Sequence, residues 1–555
     1  MTTPNHSSLS DPHSNRDRPA NLKAERLTKR QGRLGNRQSD ALPADFDALD
    51  VSAFGFYGFE DSLGEMGRRL RRVGIRHDTP KVTVVAPALF VPTEQATEAD
   101  QSKSWGGVLT ADGDAIPMAQ LHRKGKSVGG PAIPAAHPAP RHEQQELHEE
   151  VLYLGPLFNH FGRVLLESLA RIWYLPEVDP ATKVIFDYPN AAPSALGAWV
   201  QQVLTFFGLE PARILVLDQP TRLDRVIVPE PLFEQLHVAN QGMIRPFREV
   251  AARLAGDVLP SEQPVYLSRR LLSSRQRPII GERELEEVLR ENGFLIVYPE
   301  RLPFAEQVRL VNRHRHIFSG VGSAAHCILF AQHQPTLHLL TNGDQIPANY
   351  FLCSAVAAVP TTFVNCLDTG GRGSFADERH GGGDDAAPGG APGGQATPQL
   401  IDLAKMADYL DRQGFLSKRS REIVAGRTTA LQHNYDEAWL YARARRANPM
   451  RGKPLPAAVE QEAVQLAAQS WPLSWILACY YSLDPQTISR AEAMALQFAD
   501  LVRMETDATR LAYYRGDVTA MQPRVTRALL PEIRARVLAV VAAHVEADEE
   551  TATHD

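Results

Sequence analysis

The sequence predicts an α/β protein of two consecutive Rossmann-like units, with parallel sheets covered by helices. Two observations predict it. Between Val151 and Leu340, short apolar runs alternate with stretches of helical length and period. That alternation is the pattern of strand–helix–strand crossovers, which bury a parallel sheet on both faces. The pattern also restarts at Pro264, which implies a second unit and a cleft between the two.

The elements follow in order. Lys81–Phe90 (KVTVVAPALF) reads as a buried strand. Two short strands then flank Ala111-Asp112-Gly113-Asp114. Asp112 and Asp114 form a DxD, a pattern that can hold a metal, but Asp-Gly is also what a hairpin turn requires sterically, and no metal role is assigned. The first unit reads strand Val151–Leu157, helix Arg163–Leu175, strand Lys183–Asp187, helix Ser194–Gly208, strands Arg213–Leu217 and Arg225–Val228, and a helical stretch over 243–256. The second reads strand Pro264–Ser268, helix Gly281–Asn292, strand Phe294–Tyr298, helix Pro303–Arg313 and strand His316–Ser319. A Gly-rich turn, a helix over Ala324–Gln332 and strand Thr336–Leu340 complete it.

Composition sets the outer limits. The chain has 555 residues, 43% hydrophobic and 22% charged, with a net charge of −6, which gives no global reason to expect nucleic-acid binding. Four scattered cysteines form neither a disulfide framework nor a zinc site, and a reducing compartment is expected. Residues 1–45 form a basic arm without an apolar segment behind it, read as disordered and solvated, with peripheral membrane contact left open. No uncharged apolar run is long enough to span a bilayer. The expected organisation is this arm, a first unit over 46–260, a second over 261–369, a Gly/Pro-rich linker over 370–398 expected to be mobile and dispensable, a helix over 399–418 packing back on the core, and a helical appendage over 419–555 that includes Ala438–Ala447 and Ile533–Val545.

Three constellations carry chemistry. In Gly155–Trp173, the loop after a strand bears Asn159, His160, Gly162 and Arg163, at the edge where open α/β sheets place ligands. His160 can take a proton near neutral pH, and Glu167 and Arg171 share one helix face. In the second, Arg269, Arg270, Arg275 and Arg277 crowd the loop after Ser268, and guanidinium groups suit a diphosphate. In the third, Gly320-Val321-Gly322-Ser323 leads into a helix with Ala324 and His326. Its glycines permit close approach of a ligand, its N-terminus favours phosphate, and Ser323 is expected to cap it. Read as Gly320-x-Gly322-x-x-Ala325, the same turn fits a dinucleotide fingerprint, with Asp344 near the position of the acidic partner.

The order of these blocks resembles glycosyltransferase family 61. The matching residues are Asn159-His160-Phe161-Gly162-Arg163 with Val164–Trp173, Ser268-Arg269-Arg270, Glu282–Leu289, Gly293–Val297, Pro303-Phe304-Ala305-Glu306-Gln307, and Gly320–Ala325 ending in Leu329-Phe330. Arg163 stands where the family commonly has a second loop histidine, and His326 and Cys327 where small or amide residues are more usual. The resemblance implies a GT-B-like fold and an inverting hexosyl- or pentosyltransferase that uses a nucleotide sugar as co-substrate, with no metal or other cofactor, in the cytoplasm, on a glycan or glycoconjugate acceptor such as a polysaccharide. His160 is then the expected base, oriented by Glu167. Arg269, Arg270, Gly320, Gly322, Ser323 and Ala324 are the expected donor contacts, with Asn159, Arg163, Arg171, Glu306, Gln307 and His326 as further candidates. A dinucleotide-dependent oxidoreductase and a non-catalytic glycan- or partner-binding scaffold are the alternatives.

Overall fold

The computed structural model describes residues 46–417 apart from 61, 95–104, 130–144, 190–192, 257, 271–278, 344–345 and 369–398. The basic arm, Arg275, Arg277, Asp344, the 370–398 linker and the two C-terminal helices read from the sequence lie outside the described residues.

The chain is mixed α/β. One sheet orders Ile214–Leu215, Lys183–Asp187, Gln145–Pro156, Thr221–Pro229, Ala88–Glu94 and Trp105–Thr110, with Val82–Val85 also paired on Thr221–Pro229. The first four strands are mutually parallel and the other pairings are antiparallel. A purely parallel sheet is therefore not what forms here. A parallel return needs a crossover of about a dozen residues or more, and the connection from Ala88–Glu94 to Trp105–Thr110 is shorter than that, so these two pair antiparallel. The single strand read over Lys81–Phe90 is two, Val82–Val85 and Ala88–Glu94, both antiparallel to Thr221–Pro229.

The second sheet is regular. Leu295–Val297, Val265–Leu267, His316–Gly320, Thr336–Asn342 and Thr361–Asp368 are parallel neighbours in that order. Numbered along the chain, the order is 2-1-3-4-5, that of a doubly wound sheet, and its direction of winding reverses between Val265–Leu267 and His316–Gly320. Gln399–Ile401 adds antiparallel to Thr361–Asp368, and Gly55–Tyr57 adds parallel to it. Phe56 stacks on Phe363 at 5.5 Å, so Gly55–Tyr57, which precedes the first sheet in the chain, crosses to the second. Helix Leu403–Arg412 packs on it through Met406, Tyr409 and Leu410.

The two halves share one hydrophobic core. Phe247 lies on helix Ile244–Ala255, Phe304 on helix Phe304–Arg313 and Phe330 on the 3-10 helix Ser323–Phe330. Phe247 and Phe330 are 5.0 Å apart, and Phe304 and Phe330 5.4 Å. All three are buried. Burying aromatic area of this size holds the halves at a fixed separation.

Two helices differ from their reading. Arg163–Leu175 is an α-turn at Phe161–Arg163, a π-helix at Val164–Ser168 and a 3-10 helix at Ile172–Glu177. The wider i→i+5 turn places all five residues of Val164–Ser168, Glu167 included, inside the protein. The helix read over Ala324–Gln332 is 3-10 and starts at Ser323, with Gly322 as its cap residue. Ser323 is therefore inside the helix and does not cap it.

Candidate functional site

The doubly wound sheet fixes where a ligand belongs. Such sheets bind at the C-terminal ends of the strands, at the point where the winding reverses. Leu267 pairs with Ser319 in parallel register, so the chain leaves the sheet side by side as Ser268-Arg269-Arg270 and as Gly320-Val321-Gly322. Arg269 lies across the second turn, its Nη1 donating to Val321 O at 2.5 Å. A Cβ on Gly322 would overlap that guanidinium, so glycine is what lets it lie against the backbone. Arg269 is anchored from behind, because its backbone N–H donates to Glu282 Oε1 at 2.8 Å.

Arg270 goes elsewhere. Its Nε donates to Glu286 at 3.0 Å and its Nη2 to the Tyr298 hydroxyl at 2.7 Å. Glu286 is buried and also accepts from Ser268 Oγ, Arg290 and Tyr298. The expectation that both arginines face the turn is corrected here: past the end of the strand the chain turns at Arg270, whose side chain is spent on the buried carboxylate.

The other half brings its loop to the same turn. A Cβ on Gly162 would sit 2.8 Å from Ser323 Oγ and 3.5 Å from His326 Cδ2, so the two motifs touch. His160 is exposed and caps the short helix that follows, its Nδ1 accepting from Arg163 N at 3.3 Å. In the neutral ring that leaves the proton on Nε2. Partial desolvation of the otherwise exposed ring and the Arg163 charge lower the His160 pKa, with Glu167 opposing them, which favours the neutral ring. His326 is buried, stacks on Tyr350 at 4.9 Å and sets Nδ1 3.7 Å from Cys353 Sγ. Burial and the neighbouring His160 push it down to about 4.

Glu167 does not orient His160. Its carboxylate accepts from Arg123 at 2.7 Å and from Arg163 Nε at 2.6 Å, because the π-turn carries it inward to these two guanidinium groups. Arg171 is buried under the sheet edge, donating to Pro229 O, Met118 O and Gln120 O, and fastens loops together. Asn159 Oδ1 accepts from Gly197 N at 3.4 Å. Ala324 is half-buried against the shared core. Gln307 donates to Pro299 O and Leu302 O and holds that loop. Glu306 pairs with Arg309 and Arg313 at the surface. The Asp112–Asp114 segment is a turn, with Gly113 N donating to Thr110 O at 2.9 Å. Among the described residues no group of three or more His, Cys, Asp or Glu is placed to hold a metal, and no helix is long and apolar enough to cross a membrane.

Three residues escaped the sequence reading. Glu282 and Glu286 lie four apart on helix Glu282–Glu291, on the same face as Leu285 and Leu289, and this was the available signal: paired acids on an otherwise apolar stripe. Burial raises Glu282 to about 7, against the Arg269 N–H and the Tyr266 hydroxyl that favour the anion. Both donors reach Oε1, which leaves Oε2 for a proton. Arg123, on strand Leu121–Arg123 of the hairpin that pairs it with Lys126–Gly129, gave no such signal.

Residues 161–337 match the model of the glycosyltransferase 61 family. Over this stretch the chain is similar to glycosyltransferase family 61. The matched family 61 segment takes in Gly162, Glu167, Arg269, Glu282 and the Gly320 turn, and begins one residue after His160. No curated protein matches the chain. The match supports a glycosyltransferase, with a donor and an acceptor substrate.

Proposed function

We propose that this chain transfers a sugar, with inversion, from a nucleotide sugar to a hydroxyl of a glycan or glycoconjugate, as a step in building a polysaccharide. Its two halves would work as a GT-B-like pair, the second holding the donor and the first the acceptor. The observation that carries the reading is Arg269 lying over the Gly320–Gly322 turn, at the reversal point of the sheet and against the His160 loop. A diphosphate placed there would meet the Arg269 guanidinium and the Ser323 end of the 3-10 helix.

In the transfer, the acceptor oxygen forms a bond to the anomeric carbon while the bond from that carbon to the phosphate oxygen breaks. The leaving diphosphate keeps the electron pair, and Arg269 neutralises its charge. The hydroxyl proton passes to His160. For this, Nδ1 must leave the Arg163 N–H, a long hydrogen bond whose loss costs about 1 kcal/mol. Neither metal nor cofactor has a step in this scheme, and the reaction is placed in the cytoplasm.

His160→Asn separates base from cap, since asparagine caps a helix well and has no ring to titrate. Transfer should fall about 10²–10⁴-fold while nucleotide binding persists. Full transfer in His160→Asn would leave His160 with only its capping role. Screening nucleotide sugars for transfer and hydrolysis tests the activity itself.

A further inference from the structure

Beside His160 the first half holds two cations against one anion. Arg123 reaches both oxygens of Glu167, at 2.7 Å and 3.0 Å, and Arg163 Nε reaches Oε2 at 2.6 Å. The Glu167 side chain is 1% exposed, whereas Arg123 and Arg163 are 29% and 26% exposed. Glu167 therefore balances one guanidinium and leaves a net positive charge at the surface. Arg163 is stacked on the Phe158 ring, 3.3 Å from its centroid, which holds its plane fixed. Only its Nε is used, and its two terminal amino groups make no hydrogen bond to a described residue. Burial, with a smaller contribution from the Arg123 charge, holds the Arg163 guanidinium below its ordinary pKa despite Glu167.

We propose that Arg163, backed by Glu167 and Arg123, binds an anionic group of the acceptor, either a uronate carboxylate or a phosphate. The inference rests on the reading that the first half holds the acceptor. A fixed planar guanidinium with its outer edge open matches such oxygens, which can accept two parallel N–H bonds. Arg163 follows Gly162, which touches Ser323, so a group held there lies next to His160 and the donor turn. Removing Arg163 leaves Glu167 paired with Arg123, so the fold should survive the test.

The test is calorimetric titration of the full chain, without nucleotide, using methyl β-glucuronide, inorganic phosphate and neutral methyl β-glucoside. The account expects one anion to bind and the glucoside not to. Arg163→Gln should weaken that anion about tenfold, Arg163→Lys should weaken it less, and the thermal midpoint should hold. Whichever anion binds more tightly identifies the source. No anion binding by the wild type, equal binding by Arg163→Gln, or equal binding of glucoside and glucuronide would overturn the proposal. UDP and GDP are titrated separately. Loss of nucleotide binding in Arg163→Gln would assign the residue to the donor and also overturn it. Failure of the wild type to bind any nucleotide would instead strike the donor site and leave the anion result legible.

Discussion

The second half of the molecule builds its site from regular architecture, and the first half from irregularity. In the second half, parallel strands end in register, and Arg269 and the Gly320 turn are neighbours because the sheet makes them so. In the first half, a π-turn swings Glu167 inward to collect Arg123 from a distant hairpin and Arg163 from its own turn. The lesson is that a regular βα unit fixes the location of a site from local spacing, while a charge network across elements depends on tertiary structure. Both halves hold a buried carboxylate behind an arginine-bearing loop, so the contrast can be tested by removing each kind of support.

The largest effect should come from Glu286→Ala. It strands Arg270 beside the position of a fully buried carboxylate that now binds four groups. Stability should fall by about 3–5 kcal/mol in denaturant titration. A loss below about 1 kcal/mol would mean that the Arg270 cluster is not what locks this loop.

Glu282 should show an intermediate effect that depends on pH. Burial raises its carboxyl from 4.5 to about 7, so folding favours the protonated form. Its stabilising contribution is full below about 4.5 and is lost as pH rises through about 7. Glu282→Gln should therefore flatten the fall in thermal midpoint across that window. An unchanged slope would show that Glu282 titrates normally in the folded protein. The smallest effect belongs to Glu306→Ala, at an exposed ion pair: less than about 0.5 kcal/mol and no change in transfer. A measurable loss of transfer would return Glu306 to the site.

The reach of sequence reading follows the same divide. The apolar strands over 265–340 and the Gly320 turn were legible because strand length, glycine placement and helix period are local. Arg270 was misplaced because its partner Glu286 sits on another element, and spacing alone does not say which way each of two adjacent arginines faces. The helix at Arg163–Leu175 was read as continuous because Leu and Ile at helical spacing do not reveal an i→i+5 turn. Glu167 was assigned to the imidazole for the same reason. Mixed pairing in the first sheet was hidden as well, since a buried strand looks alike in parallel and antiparallel company.

The central claim is that Arg269, and not its neighbour Arg270, faces the donor phosphates. The most direct measurement is calorimetric binding of UDP and GDP to the wild type, Arg269→Ala and Arg270→Lys, with NAD and NADP as controls. The account predicts that the wild type binds one of the nucleoside diphosphates and neither dinucleotide. Arg269→Ala should weaken that binding about tenfold or more with the thermal midpoint nearly kept, and Arg270→Lys should mainly lower the midpoint. Equal nucleotide binding by Arg269→Ala and the wild type, or tighter binding of NAD or NADP than of either diphosphate, would contradict it.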